Sequence, residues 1–536
     1  MRQKYLSRES YYYAFLFILN LIIHFFALYE NCTSLDIDEA AIGYSSWCLA
    51  NYGTDRYGNS WPIYIQNFYG GQSPAYAYLL IPIIKILGLT PTAIRLLNAV
   101  FFMIGFVFLI KLINRINIPV EERISATSLY TIAPSLIILS RVGLDCILLL
   151  PFMIISIYFI VKAIETKKTT DYITASIACA TSLYTYALAY IMIPLLLITI
   201  FICLIRNKDI TVKNSIAVII TFTIISIPIF IQAYTMLFLD SPWKLGPMSF
   251  IKMEESRDTE LSLLNLLIGI PAVIYVLLFR DNQAGIYAST VFSNMYLISI
   301  PFIIIGIFSY IKHTVNEWKE KKINFHSVIT FSLIIGIFVL AINNHVAVYM
   351  SASLLFHMTL FAARGINILI NSKKVLPNRK KQKTIMIILM YVTLFLLFIN
   401  YYFVTGEYDK QIKSRYSLST PLFTEELEYI KETKLLAEKE IHLILPTGNW
   451  LYIPLSLGGI DPKEISYIDD KKNPGEYKVD YTYKNMHTGF KDPFDSDGVY
   501  IVSKHNIQGR YDRDVLENVT EMKHSKNFRD YTIYWN

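Results

Sequence analysis

Apolar runs of about 20 residues, the length of helix that crosses ~30 Å of hydrocarbon, recur along the first three quarters of this chain. Lipid offers no partner to a backbone amide or carbonyl, so such runs must pair their polar backbone groups internally, as helices. The balance of residues agrees: of 536 residues 54% are hydrophobic and 17% charged, and the mean hydropathy is +0.40. That balance excludes a soluble multidomain protein and predicts an α-helical polytopic membrane protein. After Thr405 the sequence turns mixed and charged, with short β-like runs. The expected organisation is therefore a membrane domain over residues 1–405 and a small soluble α/β domain over 406–536.

Spans are expected near residues 11–29, 93–113, 121–139, 143–162, 171–186, 188–205, 213–236, 293–311, 326–343, 347–364 and 384–403, eleven in all. The first follows Arg2, Lys4 and Arg8 without a small-residue cleavage site, so it reads as a retained span. Alternate connections are basic: Arg115 and Arg123, then Lys162, Lys167 and Lys168, then Arg206, Lys208 and Lys213, then Lys312 to Lys322, then Lys373 to Lys383. The short loops near Tyr186 and Asn344 carry no Lys or Arg. The positive-inside bias therefore puts the amino terminus in the cytoplasm and, with an odd count, the tail outside a plasma membrane. Ala75–Leu87, broken by Pro82 and Lys85, and Leu261–Phe279 would upset this parity singly. Both read as interfacial or re-entrant helices of the outer face. The competing arrangement, in which both cross, inverts the basic loops between them. The net charge of +7 follows from the membrane-flanking loops, and nucleic acid is not an expected partner. The five cysteines have no metal spacing; Cys32 and Cys48 share a loop, and unpaired thiols are preferred to a disulfide there.

This topology collects acids at one face. Asp36, Asp38 and Glu39 open a long external loop, residues 30–92, and Asp145 follows Ser140-Arg141 at the start of the fourth span. Acids beside a bilayer are costly to desolvate and mark functional sites. The plainer readings are a helix start that favours acids in its first turn, for Asp38 and Glu39, and a solvated span-end acid paired with Arg141, for Asp145. Apart from His357 and their ends, the spans are nearly free of ionisable groups. An ion-coupled transporter needs such groups at mid-membrane, so the chemistry is expected at the interface.

The stretch Asp38-Glu39-Ala40, Gly53-Thr54-Asp55, Tyr57-Gly58, Pro62, Gly70-Gly71-Gln72-Ser73-Pro74-Ala75-Tyr76, Ile81-Pro82 and Arg95-Leu96 resembles the first external loop of bacterial GT-C-type glycosyltransferases. These are relatives of protein O-mannosyltransferases and of the aminoarabinose transferase that modifies lipid A. The likeness continues through Ser140-Arg141 and Asp145, Tyr184-Thr185-Tyr186 and Arg280-Asp281, over roughly residues 10–370. It departs at Gln72, where the family often has a basic residue, and at Asp145, where it often has Glu. The resemblance implies a GT-C-like fold and a polyprenyl-phosphate sugar donor used on the external face. It maps the family's first-loop acid onto Asp38, with Glu39 beside it, and its second-loop acid onto Asp145.

Such a transfer needs a base to take the acceptor hydroxyl proton as the anomeric carbon gains oxocarbenium character. Asp38 is the candidate, acting opposite the leaving phosphate, so inversion is expected; Glu39 would orient substrate. The leaving phosphate calls for cations, and Arg95, Arg141, Lys252, Arg257 and Arg280, the last followed by Asp281, lie on the expected face. Each has an alternative use as a headgroup anchor. Gln72, Tyr76, Tyr186 and His345 are candidate substrate contacts. Two hard carboxylates, Asp38 and Asp145, would suit Mg or Mn, though nothing in the sequence requires a metal. The acceptor is a hydroxyl of a protein, glycan or lipid. A lipid-sugar flippase, or a membrane scaffold with an external binding domain, shares the spans; the scaffold would tolerate Asp38→Asn.

Overall fold

The computed structural model describes residues 8–30, 32–67, 70–253, 265–281, 285–343, 346–373, 377–415, 419–446, 451–469, 479–488, 494–505, 507 and 513–536. It divides into two compact units: Met1–Leu28, Pro62–Leu79 and Arg95–Val404 in the first, and Tyr29–Trp61, Leu80–Ile94 and Thr405–Asn536 in the second.

The first unit is a helical polytopic membrane fold. Among the described residues six helices are long and apolar enough to cross a bilayer: Pro91–Arg115, Asp145–Thr166, Ala189–Arg206, Val212–Phe238, Ala352–Asn371 and Lys380–Val404. Every other expected span also contains a helix: Arg8–Phe25, Val120–Ile132, Thr169–Ser182, Ser299–Lys319 and Phe325–Ala341. The span expected at 121–139 is broken, because Pro134 has no amide to donate and opens a new helix, Pro134–Ser140, after Ala133 turns extended. Association of helices in lipid depends on close packing rather than on apolar burial. A Cβ at Gly306 would stand 1.9 Å from the Phe361 carbonyl oxygen, and one at Gly365 2.0 Å from that of Phe302. The helices Ser299–Lys319 and Ala352–Asn371 therefore cross backbone against backbone.

The second unit is built on a seven-stranded mixed sheet. Its order is His524–Asn527, Tyr531–Trp535, Val499–Ser503, Ile441–Ile444, Met486–Thr488, Val479–Tyr483, Ser466–Asp469. Ile441–Ile444 runs parallel to both its neighbours, and the remaining pairs are antiparallel. Ile441, Leu443, Val499, Ile501 and Ile533 supply the buried apolar core. The sequence after Thr420-Pro421 reads as helical through Glu438; the helix formed is shorter, Thr424–Glu432, and Ser419–Pro421 is a strand. That strand pairs with Ser34–Asp36 of the first loop, antiparallel, with Leu35 opposite Thr420. In the same unit the helix Ile37–Tyr52 lays Trp47 on Gly459, whose φ is +114°. A Cβ there would stand 2.2 Å from the indole, so only glycine meets both demands.

Candidate active site

In the second unit, the three acids of the first loop have different tasks. Asp36 caps the helix Ile37–Tyr52: its Oδ1 accepts from the Asp38 amide at 2.8 Å, and Glu39 Oε2 accepts from the Asp36 amide at 3.1 Å. This reciprocal capping box satisfies amides that a helix start otherwise leaves unpaired. Glu39 is fully buried in that role. Asp38 gives the cap its amide only; the residue sits in the first turn, where the helix dipole favours its anion, and is half-buried. The helix ends at Gly53, in the left-handed region, whose amide returns to Leu49 O. Beyond it Asp55 organises a tight turn by accepting from the Tyr57 and Asn59 amides, both at 2.9 Å. Burial pushes its carboxyl up, and the bonds from Asn59 partly offset this. Arg56 folds back on the helix, donating to Ala41 O at 3.0 Å and Ser45 Oγ at 2.9 Å.

The approach to Asp38 is held by the chain's last quarter. Thr33 N donates to Asp409 Oδ1 at 3.1 Å, and the buried Tyr452 hydroxyl donates to Leu35 O at 3.0 Å. Asp409 in turn meets Lys413 Nζ at 2.9 Å, and Lys413 reaches Asp530 at 2.5 Å. Burial pushes Asp530 up, but hydrogen bonds from His505 and Lys413 outweigh it and hold the carboxyl at about 2.

In the first unit, Asp145 opens the helix Asp145–Thr166. Its Oδ2 accepts from the Ser73 amide at 2.7 Å and its Oδ1 from the Cys146 amide at 2.8 Å. Two predicted pieces, the Gln72-Ser73-Pro74 corner and the second-loop acid, are thus joined. Asn98, which the sequence reading passed over, fixes the turn before Asp145 by donating to Val142 O at 2.6 Å and Leu144 O at 3.1 Å. The hydroxyls of Ser73 and Tyr190 are buried and lie beside each other, and Tyr190 is within electrostatic reach of Asp145 and Tyr64. Their signal in the sequence was faint, a serine before proline and a tyrosine inside an apolar run.

Arg141 is fully buried, and its described partners are not Asp145. Its NH1 donates to Ile23 O at 2.8 Å, its NH2 to Ala27 O at 2.5 Å and its Nε to Tyr402 at 3.3 Å, with the Phe403 ring 4.9 Å away. A cation on the last carbonyls of a helix completes bonds the helix cannot, so Arg141 anchors the end of Arg8–Phe25. Arg95 is likewise buried and donates to Leu28 O at 3.3 Å. Arg280 is exposed and uses one N–H on Thr290 O, while Asp281 accepts from the Val348 amide at 2.9 Å. Lys252 is exposed and donates to Met236 O at 2.6 Å. Gln72, Tyr76 and Tyr186 are buried. His345 and Arg257 lie outside the described residues. All five cysteines are buried free thiols.

Among the described residues no three His, Cys, Asp or Glu side chains gather as metal ligands. Asp145 has both oxygens on backbone amides.

The fold matches the crystal structure of ArnT from Cupriavidus metallidurans bound to undecaprenyl phosphate, with a TM-score of 0.54 over 98% of each chain at 10% identity. The apo form of that protein gives 0.55, again over 98% of each, at 9% identity. This is a GT-C-type fold. The GT-C reading has a second, sequence-level support: residues 71–232 match the family model of dolichyl-phosphate-mannose-protein mannosyltransferases. The matched segment begins at Gly71, within the corner that Asp145 holds, and contains Asp145 itself. The archaeal oligosaccharyltransferase AglB from Archaeoglobus fulgidus also resembles the chain, at a TM-score of 0.45 and 9% identity over 83% of this chain and 63% of that one. No curated protein matches in sequence. The likeness expected from the first loop thus holds at the level of the whole GT-C fold.

Proposed function

We propose that the protein transfers a monosaccharide from a polyprenyl-phosphate donor to a hydroxyl of a protein, glycan or lipid, at the outer face of the plasma membrane. The observation that carries this reading is Asp38: of the three clustered acids it is the half-buried one, in the first turn of its helix, while Asp36 and Glu39 are buried and accept the capping bonds. The acceptor hydroxyl gives its proton to the Asp38 carboxylate, its oxygen bonds to the anomeric carbon, and the bond from that carbon to the phosphate oxygen breaks. The electron pair leaves with the phosphate, and a single displacement inverts the anomeric centre. The growing phosphate charge calls for cations; Arg280, which has N–H groups beyond the one used on Thr290, and the buried Arg95 are the candidates. Asp145 positions the Gln72-Ser73 corner rather than reacting. No step runs through a metal. Eleven spans, a cytoplasmic amino terminus and an external tail complete the proposal, with residues 75–87 and 261–279 interfacial.

The test is transfer by purified, folded protein supplied with polyprenyl-phosphate sugars. Loss of a general base costs roughly 10²–10⁴-fold, so Asp38→Asn is expected to fall in that range and Asp145→Asn less far. Full transfer by both variants refutes the assignment. Labelling of a cysteine at position 38 from the cytoplasmic side alone defeats the topology.

A further inference from the structure

The acid-bearing turn is built by two stretches of chain far apart in sequence. Residues 33 to 36 are tied to the last quarter one after another: Thr33 to Asp409, Ser34–Asp36 as a strand against Ser419–Pro421, and Leu35 O to the Tyr452 hydroxyl. Leu35 directly precedes Asp36, and Asp36 accepts from the Asp38 amide. A displacement of Leu35 therefore passes through one capping residue to the carboxylate two positions on. Tyr452 is fully buried, so its hydroxyl is not rotating in solvent.

We propose that Tyr452 is a positioning residue for the transfer reaction, setting the place of Asp38 through Leu35 and the Asp36 cap. This rests on the reading of Asp38 as the base. It gives the C-terminal unit a task inside the reaction, beyond covering the site or contacting an acceptor. Productive geometry tolerates displacements of only ~0.5 Å, and a 1 Å misplacement costs up to ~10²-fold. A second tyrosine supplies the control. Tyr44, on the same helix and also fully buried, donates to Ile460 O at 3.0 Å. That bond ties the helix to the same C-terminal segment, but more than one turn beyond Asp38.

Tyr452→Phe keeps the ring and removes the hydroxyl that bonds Leu35 O and meets Thr420, while Tyr44→Phe removes the hydroxyl that bonds Ile460 O and meets Cys48. For Tyr452→Phe, kcat is expected to fall roughly 10-fold or more with the donor KM within about 3-fold. Amide exchange over residues 36–39 should quicken while that of residues 46–50 stays slow. Tyr44→Phe should lose comparable thermal stability yet hold kcat within about 2-fold. Equal kcat losses in both variants reduce Tyr452 to a stability role and overturn the proposal; so does wild-type kcat in Tyr452→Phe. Should that variant not fold, Asp409→Ala removes the acceptor of the Thr33 amide and loosens the same turn from that side, and wild-type kcat there is equally fatal. Asp38→Asn separates the two layers. Full transfer by Asp38→Asn removes the base reading itself, whereas an inactive Asp38→Asn beside a fully active Tyr452→Phe removes only the positioning role.

Discussion

Asp530→Asn is the perturbation whose size the structure fixes best. Lys413 Nζ lies 2.5 Å from Asp530 and 2.9 Å from Asp409, and His505 Nε2 lies 3.0 Å from Asp530. The Lys413, Asp409 and Asp530 side chains are between 8% and 11% exposed, so solvent screening is slight. Burial alone would raise the Asp530 carboxyl, yet its hydrogen-bond donors bring it to about 2, against an ordinary value of 3.8. A carboxyl lowered by folding is ionised more readily in the native chain than in the unfolded one. Its contribution is complete above 3.8 and disappears as pH falls through about 2. At about 1.36 kcal/mol for each pH unit between the two values, that contribution is on the order of 2 kcal/mol at neutral pH. Asparagine keeps the shape and removes the charge, so Asp530→Asn should cost about 2 kcal/mol at pH 7, about half of that at pH 3 and almost nothing at pH 2. Thermal unfolding of both proteins in nanodiscs, followed by exchange in the C-terminal sheet, measures the gap. Buried ion pairs can cancel their attraction against lost hydration. A variant as stable as wild type at pH 7, or a gap that fails to narrow on acidification, would show that cancellation and refute the reasoning.

Two further outcomes follow from the same unit. Glu426 is buried in the first turn of Thr424–Glu432, and desolvation, aided by Glu425 and Asp530, pushes it up to about 7 from an ordinary 4.5. An acid raised by folding favours the native state most below 4.5 and weakens it as pH rises through about 7. Glu426→Gln should therefore match wild type at pH 4 and exceed it by up to about 3 kcal/mol at pH 8; a constant difference across that window contradicts the burial argument. Glu39→Ala removes one arm of the capping box and should cost about 1 kcal/mol, whereas glutamine can still reach back to the Asp36 amide. Equal melting points for the Ala and Gln variants would deny Glu39 its capping role.

The helices were legible in the sequence because membrane insertion is decided locally, by the apolar content of one segment at a time. So was the first turn around Asp38, since a capping box is written in four consecutive residues. Strands of the tail were legible where a short apolar run is buried almost throughout, as in Ile441–Ile444 and Val499–Ser503. They were missed where they are short or solvated, as in Met486–Thr488 and the fully exposed His524–Asn527. What the sequence withheld were pairings between distant residues. Nothing local in Ser34-Leu35-Asp36 names Ser419-Thr420-Pro421 as its neighbour, and nothing in Arg141 says that its guanidinium serves carbonyls of the first helix. Ser73 and Asp145 are both visible as motif residues, but the 2.7 Å bond between them exists only once two loops have folded.

The register that sets Ser34 opposite Pro421 also carries a schedule. The ribosome makes residue 36 long before residue 421, and at ~5–20 residues per second the delay is roughly 20 to 80 s. Throughout that interval the acidic turn exists without the strand that completes it, whatever number of helices has already inserted. A chain cut short before residue 419 would lack the strand that pairs with Ser34–Asp36.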